Sequence, residues 1–187
     1  MRIVAGELGG RKLTSMGTGD VAAHLRPTSD RLRESLFNML ASGRFDDPFD
    51  GAVVLDLFAG TGALGFEALS RGAARLVLVD SGAKSARLIW ANIKLLGVEA
   101  RCHLIRREVG RIGPNTHAPA TLVFLDPPYG KSLGGPALKA AMKGGWIAPG
   151  ALIVWEENAA QEPPEGFDLL ETKQQGDSCL TLARAQG

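Results

Sequence analysis

A chain of 187 residues fits one globular domain, and 45% hydrophobic with 22% charged residues is a balance that allows a buried core. No apolar run approaches the roughly 20 residues that a membrane helix needs, and the N-terminus lacks a signal-peptide core. The two cysteines, Cys102 and Cys179, lie far apart without metal-type spacing. These features predict a cytoplasmic protein with reduced thiols and no bound metal.

The net charge of +1 does not by itself indicate a nucleic-acid partner, but the charge is unevenly distributed. Residues 1–44 contain seven basic and four acidic residues, a net charge of +3, whereas residues 151–187 contain two basic and seven acidic ones, a net charge of −5. A basic N-terminal end is compatible with a polyanionic partner that docks there. A solvated surface with an accidental asymmetry explains the skew equally well.

The beginning of the chain is predicted to form a small extension. Residues 2–5 and 10–14 can pair as a hairpin. Thr28 or Ser29 can cap a helix that continues to about Ala41, before a break in the pattern. The predicted division is an extension at 1–44 and a main domain at 45–187.

The arginines of this extension are candidates for RNA phosphate contacts, because a guanidinium can bind a phosphate through two hydrogen bonds. Ion pairs with Asp30 and Glu34 on the helix surface are the alternative. The candidate residues are Arg11, Arg26, Arg31 and Arg33.

The main domain alternates apolar strands with amphipathic helices, which predicts an α/β fold with a mostly parallel sheet. The strand-like runs are residues 52–58, 74–80, 102–106, 121–126 and 151–156. The helix-like runs are residues 62–71, 82–96 and 135–144, and in the second of these Ile89, Trp90 and Ile93 are predicted to pack in the core. Residues 167–173 and 179–184 are predicted to close the sheet as an antiparallel hairpin. The pattern is that of a Rossmann-like fold.

A glycine-rich turn follows the first predicted strand, and open α/β sheets bind ligands at that place. Gly60, Gly62 and Gly65 spell the dinucleotide pattern GxGxxG, but Asp56 at the strand end would repel a pyrophosphate. S-adenosylmethionine has no phosphate and carries two cationic groups, so an acid suits it. Asp80, at the end of the second strand, can accept the two hydroxyls of a ribose. The predicted cofactor residues here are Asp56, Phe58, Ala59, Gly60, Thr61, Gly62 and Asp80.

The fourth strand ends in Asp126-Pro127-Pro128-Tyr129, which is predicted to be a catalytic loop. Two prolines fix the backbone and remove two N–H donors, leaving carbonyl acceptors. An exocyclic amino group must become more tetrahedral to attack a methyl group, and the Asp126 carboxylate and Pro127 carbonyl can each accept one of its N–H groups. Tyr129 can stack on a base that has left its helix. The loop therefore indicates methylation of a base amino group.

The chain resembles the amino-methyltransferases, whose signature is an Asp or Asn followed by two prolines and an aromatic residue. With RPTSDRLRESLFNML at 26–40, VLDLFAGTGALGFEALSRGA at 54–73 and VFLDPPY at 123–129, it resembles the RsmD family of bacterial 16S rRNA guanine-N2 methyltransferases. The opening RIVAGELGGRKL adds to the likeness. The resemblance implies transfer of a methyl group to one guanine of the small-subunit rRNA, within partly assembled subunits. It also implies that Asp126 borders the cofactor and that Glu108 replaces the acid or amide that contacts its adenine.

Three other functions were weighed. A DNA or RNA methyltransferase acting on adenine N6 or cytosine N4 would use the same chemistry, although 187 residues leave little room for a DNA-recognition region. An NAD-dependent oxidoreductase explains neither Asp56 nor the Asp126–Tyr129 loop. A non-catalytic RNA-binding assembly factor would have no need to retain Asp126, Pro127 and Tyr129 together.

Overall fold

A seven-stranded sheet with helices on both faces forms the body of the protein, and the computed structural model describes residues 1–14 and 30–187. No helix in these two ranges has the length and apolar character needed to cross a membrane. The helices are α1 (Asp30–Leu40), α2 (Ala63–Ser70), α3 (Ala83–Leu96) and α4 (Gly134–Lys143). The strands are β1 (Val53–Leu57), β2 (Arg75–Val79), β3 (Cys102–Ile105), β4 (Ala120–Leu125), β5 (Ile147–Glu157), β6 (Phe167–Gln175) and β7 (Ser178–Ala185).

The strand order is β3-β2-β1-β4-β5-β7-β6. Strands β1 to β5 are parallel, whereas β7 runs antiparallel to both β5 and β6. The predicted alternation and the predicted closing hairpin are therefore confirmed. The direction of winding reverses between β1 and β4, and a ligand crevice forms at such a switch point, outside the carboxyl ends of the strands.

Each face of the sheet buries its own apolar cluster. Helices α1, α2 and α3 cover the face that carries Val54, Phe124 and Val154, and we call this the first face. Helix α4 and the short turn at 109–112 cover the opposite face, which carries Leu55, Leu125 and Trp155. On α3, Ile89 and Ile93 are fully buried as predicted, but the prediction for Trp90 is wrong, because its side chain is 48% exposed.

The N-terminal segment forms a hairpin-like loop with a single bridge between Arg2 and Lys12. It is tied to α2 by the buried carboxylate of Glu67, which accepts hydrogen bonds from the backbone N–H groups of Val4 at 2.7 Å and Ala5 at 3.1 Å. Gly6 lies so close to α2 that an added Cβ would sit 1.9 Å from the carbonyl oxygen of Ser70. These contacts fix the loop against the helix that follows the glycine-rich turn.

Arg33 belongs to this same contact, and the prediction that it binds RNA is wrong. Its side chain is completely buried, with Nη2 donating to Asp30 at 2.9 Å and to the backbone carbonyl of Arg2. Its Nε lies 3.8 Å from the Glu67 carboxylate, which also pairs with Arg71. A buried guanidinium enclosed in this way joins α1, α2 and the N-terminal loop, and it has no surface for a phosphate.

The other candidate arginines differ from one another. Arg11 donates to the backbone carbonyls of Leu95 and Leu96, so it caps the C-terminal end of α3. Arg31 is exposed and pairs with no acid among residues 1–14 and 30–187. Arg26 and the predicted helix caps, Thr28 and Ser29, lie outside the described residues.

The buried position of Arg33 predicts a stability effect that an exposed arginine on the same helix lacks. Arg33→Ala removes the buried guanidinium that joins Asp30, Glu67 and the Arg2 carbonyl, and breaking a buried ion pair typically costs about 3–5 kcal/mol. Arg31→Ala, the matched control, should change the free energy of unfolding by less than about 0.5 kcal/mol. Urea unfolding of both variants measures the difference. Equal stabilities would contradict the structural role of Arg33.

Candidate active site

The turn between β1 and α2 has a backbone that ordinary side chains rarely adopt. Phe58, Gly60 and Gly62 all have positive φ angles, of 62°, 59° and 77°. Phe58 is not a glycine, and such strained residues cluster at binding sites. A Cβ at Gly62 would lie 2.6 Å from the Phe66 ring, so no other residue fits there. The turn therefore keeps a tight shape that glycine at position 62 makes possible.

The third glycine of the pattern, Gly65, has a different task. A Cβ at this position would meet Leu76 at 2.5 Å and a carboxylate oxygen of Asp56 at 3.0 Å. The backbone N–H of Gly65 donates to that same oxygen at 3.0 Å. Gly65 thus lets α2 pack directly on the sheet and supplies one hydrogen bond to the buried acid.

Asp80 holds the turn from the neighbouring strand. One carboxylate oxygen accepts the N–H of Gly60 at 2.9 Å, and the other accepts the N–H of Gly82 at 2.7 Å. The side chain is partly exposed, and each oxygen keeps a second lone pair for a further donor. Asp80 therefore lies where a ligand on the turn would meet it.

Three acids meet at the crevice, and no lysine or arginine pairs with Asp56, Asp80 or Asp126 among residues 1–14 and 30–187. The pKa of Asp56 is raised to about 8, mainly by burial, with the hydrogen bond from Gly65 opposing the shift and the charge of Asp80 adding to it. Burial also raises the pKa of Asp126 well above its usual value, with the charges of Glu156 and Asp56 adding to the effect. Acids that repel one another in this way favour a cationic ligand between them.

A metal ion is one cation that could relieve such repulsion. Within residues 1–14 and 30–187, however, no group of three or more His, Cys, Asp or Glu side chains is arranged to hold one. The acids are instead spread along the crevice from β1 to β5.

The loop after β4 is placed by the same sheet. The N–H of Asp126 lies 3.4 Å from the carbonyl oxygen of Leu57 at the end of β1, which brings the loop beside the glycine-rich turn. Pro127 is buried, and Pro128 and Tyr129 are partly exposed. The structure thus brings together the residues predicted to bind the cofactor and those predicted to act on the base.

Glu156, near the end of β5, is a site residue that was not predicted from the sequence. This glutamate is 8% exposed, and the Tyr129 hydroxyl donates to its Oε1 at 3.3 Å. Burial and the Glu156 charge raise the pKa of Tyr129 well above its usual value. The sequence does contain an indication of this residue, because the apolar strand ends in two acids, Glu156 and Glu157. A buried acid lowers stability unless a partner or ligand compensates for it.

Glu108 is the remaining residue predicted to bind the cofactor. It follows β3, its side chain is 67% exposed, and its Oε2 lies 3.5 Å from Nε of Arg111. Its contact with a cofactor adenine stays a prediction, as does the division of the chain at residue 44.

The comparison with known proteins agrees with this arrangement. The model of the family described as conserved hypothetical protein 95 matches residues 1–184. The ribosomal RNA small subunit methyltransferase D of Escherichia coli strain K12 is 34% identical over 192 aligned residues, covering 100% of this chain and 92% of that protein. This chain belongs to the RsmD family.

Solved structures extend the likeness of this RsmD-family protein to three dimensions. The Escherichia coli protein named yhhF superimposes with a TM-score of 0.82 at 32% identity, covering 100% of this chain and 98% of that one. An RNA methyltransferase from Salinibacter ruber, solved with S-adenosyl-L-homocysteine, gives a TM-score of 0.64 at 16% identity and covers 86% of this chain and 94% of its own. The second match shows the fold alone, which is that of the Rossmann-like methyltransferases, as predicted.

The raised pKa of Asp56 predicts a pH-dependent cost to the ligand-free protein. Below about pH 4 the group is protonated in both folded and unfolded chains, and between about pH 4 and its folded pKa of about 8 only the folded chain keeps the proton. Stability should therefore fall as pH rises through this window, by at most about 1.4 kcal/mol per pH unit. Asp56→Asn should remove this part of the fall.

The measurement is thermal or urea unfolding of both proteins, without ligand, from pH 4 to pH 9. The difference in unfolding free energy between Asp56→Asn and the unmodified protein should grow up to about pH 8 and then level off. A difference that stays constant with pH would mean that Asp56 is ionised in the folded protein throughout.

Proposed function

We propose that this protein transfers the methyl group of S-adenosylmethionine to the exocyclic N2 amino group of a guanine in 16S rRNA. The observation that carries the proposal is the position of the Asp126–Tyr129 loop directly beside the acid-lined, glycine-rich turn. The relatives that span this chain are named ribosomal RNA small subunit methyltransferase D, and this name supports small-subunit rRNA as the substrate. The resemblance to the RsmD family supports the N2 amino group of guanine as the methylated position.

The residues present fit S-adenosylmethionine. This cofactor supplies a methyl group bound to a positively charged sulfur, which makes the methyl group electrophilic. Asp56, Asp80 and Asp126 provide negative charge for a ligand that carries a sulfonium and an ammonium, and Asp80 has lone pairs left for ribose hydroxyls. The same acids disfavour NAD, whose pyrophosphate would have to approach Asp56.

The catalytic loop acts on the amino group of the base. Asp126 and the Pro127 carbonyl each accept one N–H, which favours the tetrahedral geometry that nucleophilic attack requires. Asp126 also hydrogen-bonds the proton that the amino group loses after the methyl group has been transferred. Tyr129 stacks on the ring and holds a base that has left its helix.

The proposed RNA contact uses exposed cations of the N-terminal region. Arg31 is exposed on α1, and Arg26 precedes it in the same motif. Arg11 is the weaker candidate, because it already caps α3. The substrate that the family resemblance favours is a partly assembled small subunit in the bacterial cytoplasm.

Asp80 gives a test of the cofactor site. Asp80→Ala removes the carboxylate that holds Gly60 and that would accept the ribose hydroxyls. Since a charge-assisted hydrogen bond contributes about 1.5–3 kcal/mol, the affinity for S-adenosylmethionine should fall roughly tenfold or more in calorimetric titration. NAD should bind neither protein. An unchanged affinity in Asp80→Ala would place the ribose elsewhere.

Asp126 gives a test of the reaction. Purified protein, labelled S-adenosylmethionine and small-subunit rRNA or subunits that lack the modification should yield N2-methylguanosine on nucleoside analysis. Asp126→Ala should lower turnover by on the order of 10²–10³, which is far more than it weakens cofactor or RNA binding. Tyr129→Phe keeps the ring and should remain largely active, whereas Tyr129→Ala should lose stacking worth about 1–3 kcal/mol. Normal turnover in Asp126→Ala would overturn the assignment of the loop.

A further inference from the structure

Glu156 lies beside Asp126 on the next strand of the sheet. Leu125 of β4 pairs in register with Trp155 of β5, so positions 126 and 156 follow as neighbours at the carboxyl end. Adjacent strands are about 4.8 Å apart. Val154 packs on the first face and Trp155 on the opposite one, so alternation returns Glu156 to the first face, where Phe124 of β4 also packs.

The Glu156 carboxylate has one oxygen engaged and one available. Its Oε1 accepts the Tyr129 hydroxyl at 3.3 Å, and no other hydrogen bond to this carboxylate comes from residues 1–14 or 30–187. The side chain is 8% exposed, and its second oxygen keeps a small accessible surface, so a donor group of a ligand can reach it.

The chemistry of this acceptor distinguishes the bases. In guanine two ring nitrogens lie beside the amino group, and one of them, N1, carries a proton and is a donor. In adenine and cytosine the ring nitrogen beside the amino group carries a lone pair and is an acceptor. A second acidic side chain next to Asp126 therefore attracts the N1–H of guanine and repels the lone pair of the other two bases.

We propose that Glu156 selects guanine by accepting its N1–H while Asp126 accepts from the N2 amino group. This inference rests on the proposed methylation of guanine and names the residue that restricts the reaction to that base. Glu156 also holds the Tyr129 hydroxyl, which orients the stacking ring toward the same base. Glu156 thus recognises the N1–H edge of the target guanine and also orients the tyrosine ring that stacks on its plane.

The test replaces the target guanine of the small-subunit RNA with 2-aminopurine, which keeps the 2-amino group but has a lone pair at N1. The unmodified protein should prefer guanine over 2-aminopurine by at least about 100-fold in kcat/KM, since a site built for an N–H rejects a base that lacks it. In Glu156→Gln the amide can donate to N1 of 2-aminopurine, so this preference should shrink roughly tenfold or more. Calorimetric affinity for S-adenosylmethionine should stay the same, which also shows that the variant is folded.

Two control variants separate base selection from other roles. Tyr129→Phe removes the hydroxyl that Glu156 holds, and it should leave the preference for guanine unchanged whatever its absolute rate. Glu157→Gln changes a buried acid on the opposite face, whose Oε2 accepts the N–H of Asn158, and it should also leave the preference unchanged.

The outcomes are distinct. An unaltered preference in Glu156→Gln overturns the inference, and so does an equal loss of preference in Tyr129→Phe, because Glu156 would then act only through the tyrosine. If the unmodified protein forms no N2-methylguanosine in any small-subunit substrate, the proposed function fails instead.

Discussion

Burial of neighbouring acids is the constraint on which the site depends, because burial is the main reason that the pKa values of Asp56 and Asp126 are raised. Asp56 is 2% exposed, and its charge, like that of Glu156, raises the pKa of Asp126. In the ligand-free protein Asp56 and Asp126 hold protons to a higher pH than ordinary carboxyls do, and a protonated Asp126 is a poorer acceptor for an amino group. A cationic ligand between these acids would lower their pKa values by Coulomb attraction, and this would favour the ionised Asp126 that the proposed reaction uses.

The fold brings these acids together through sheet topology and not through sequence proximity. Asp56, Asp126 and Glu156 end three neighbouring strands, and because those strands are parallel their carboxyl ends share one edge. The reversal of winding between β1 and β4 leaves that edge uncovered by a crossover. The positive φ angles of Phe58 and Gly60 then keep the connecting turn short enough for a ligand to reach the backbone.

The pattern of apolar residues predicted the strands and helices well. A parallel sheet is buried on both faces, so its strands appear in the sequence as continuous apolar runs. The predicted strand at 52–58 is observed at Val53–Leu57, and the helix predicted at 82–96 is observed at Ala83–Leu96. Side-chain environment was harder to predict. Trp90 lies one residue from buried Ile89 yet faces outward, since one residue turns a helix by about 100°.

The site residues that lie within short sequence motifs were predicted correctly as neighbours. The residue that only the tertiary structure brings to the site was missed. Asp56, Asp80 and the Asp126–Tyr129 loop each lie within a recognisable pattern of turn residues. Glu156 does not, because its closeness to Asp126 arises from strand pairing across 30 residues of sequence. Arg33 was misassigned for a related reason: local spacing indicated its ion pair with Asp30, but its burial beside Glu67 of another helix arises only in the tertiary structure.

The burial of Arg33 and Glu67 links the N-terminal region to the cofactor turn. Glu67 lies on α2, the helix that begins directly after Gly62, and its carboxylate holds both the N-terminal loop and α1. From the other side Asn92, fully buried on α3, donates to the carbonyls of Thr14 and Thr61 at 3.2 and 3.1 Å. The region proposed to contact RNA and the turn proposed to contact the cofactor therefore rest on the same two helices, α2 and α3, so the packing of these helices fixes the position of one relative to the other.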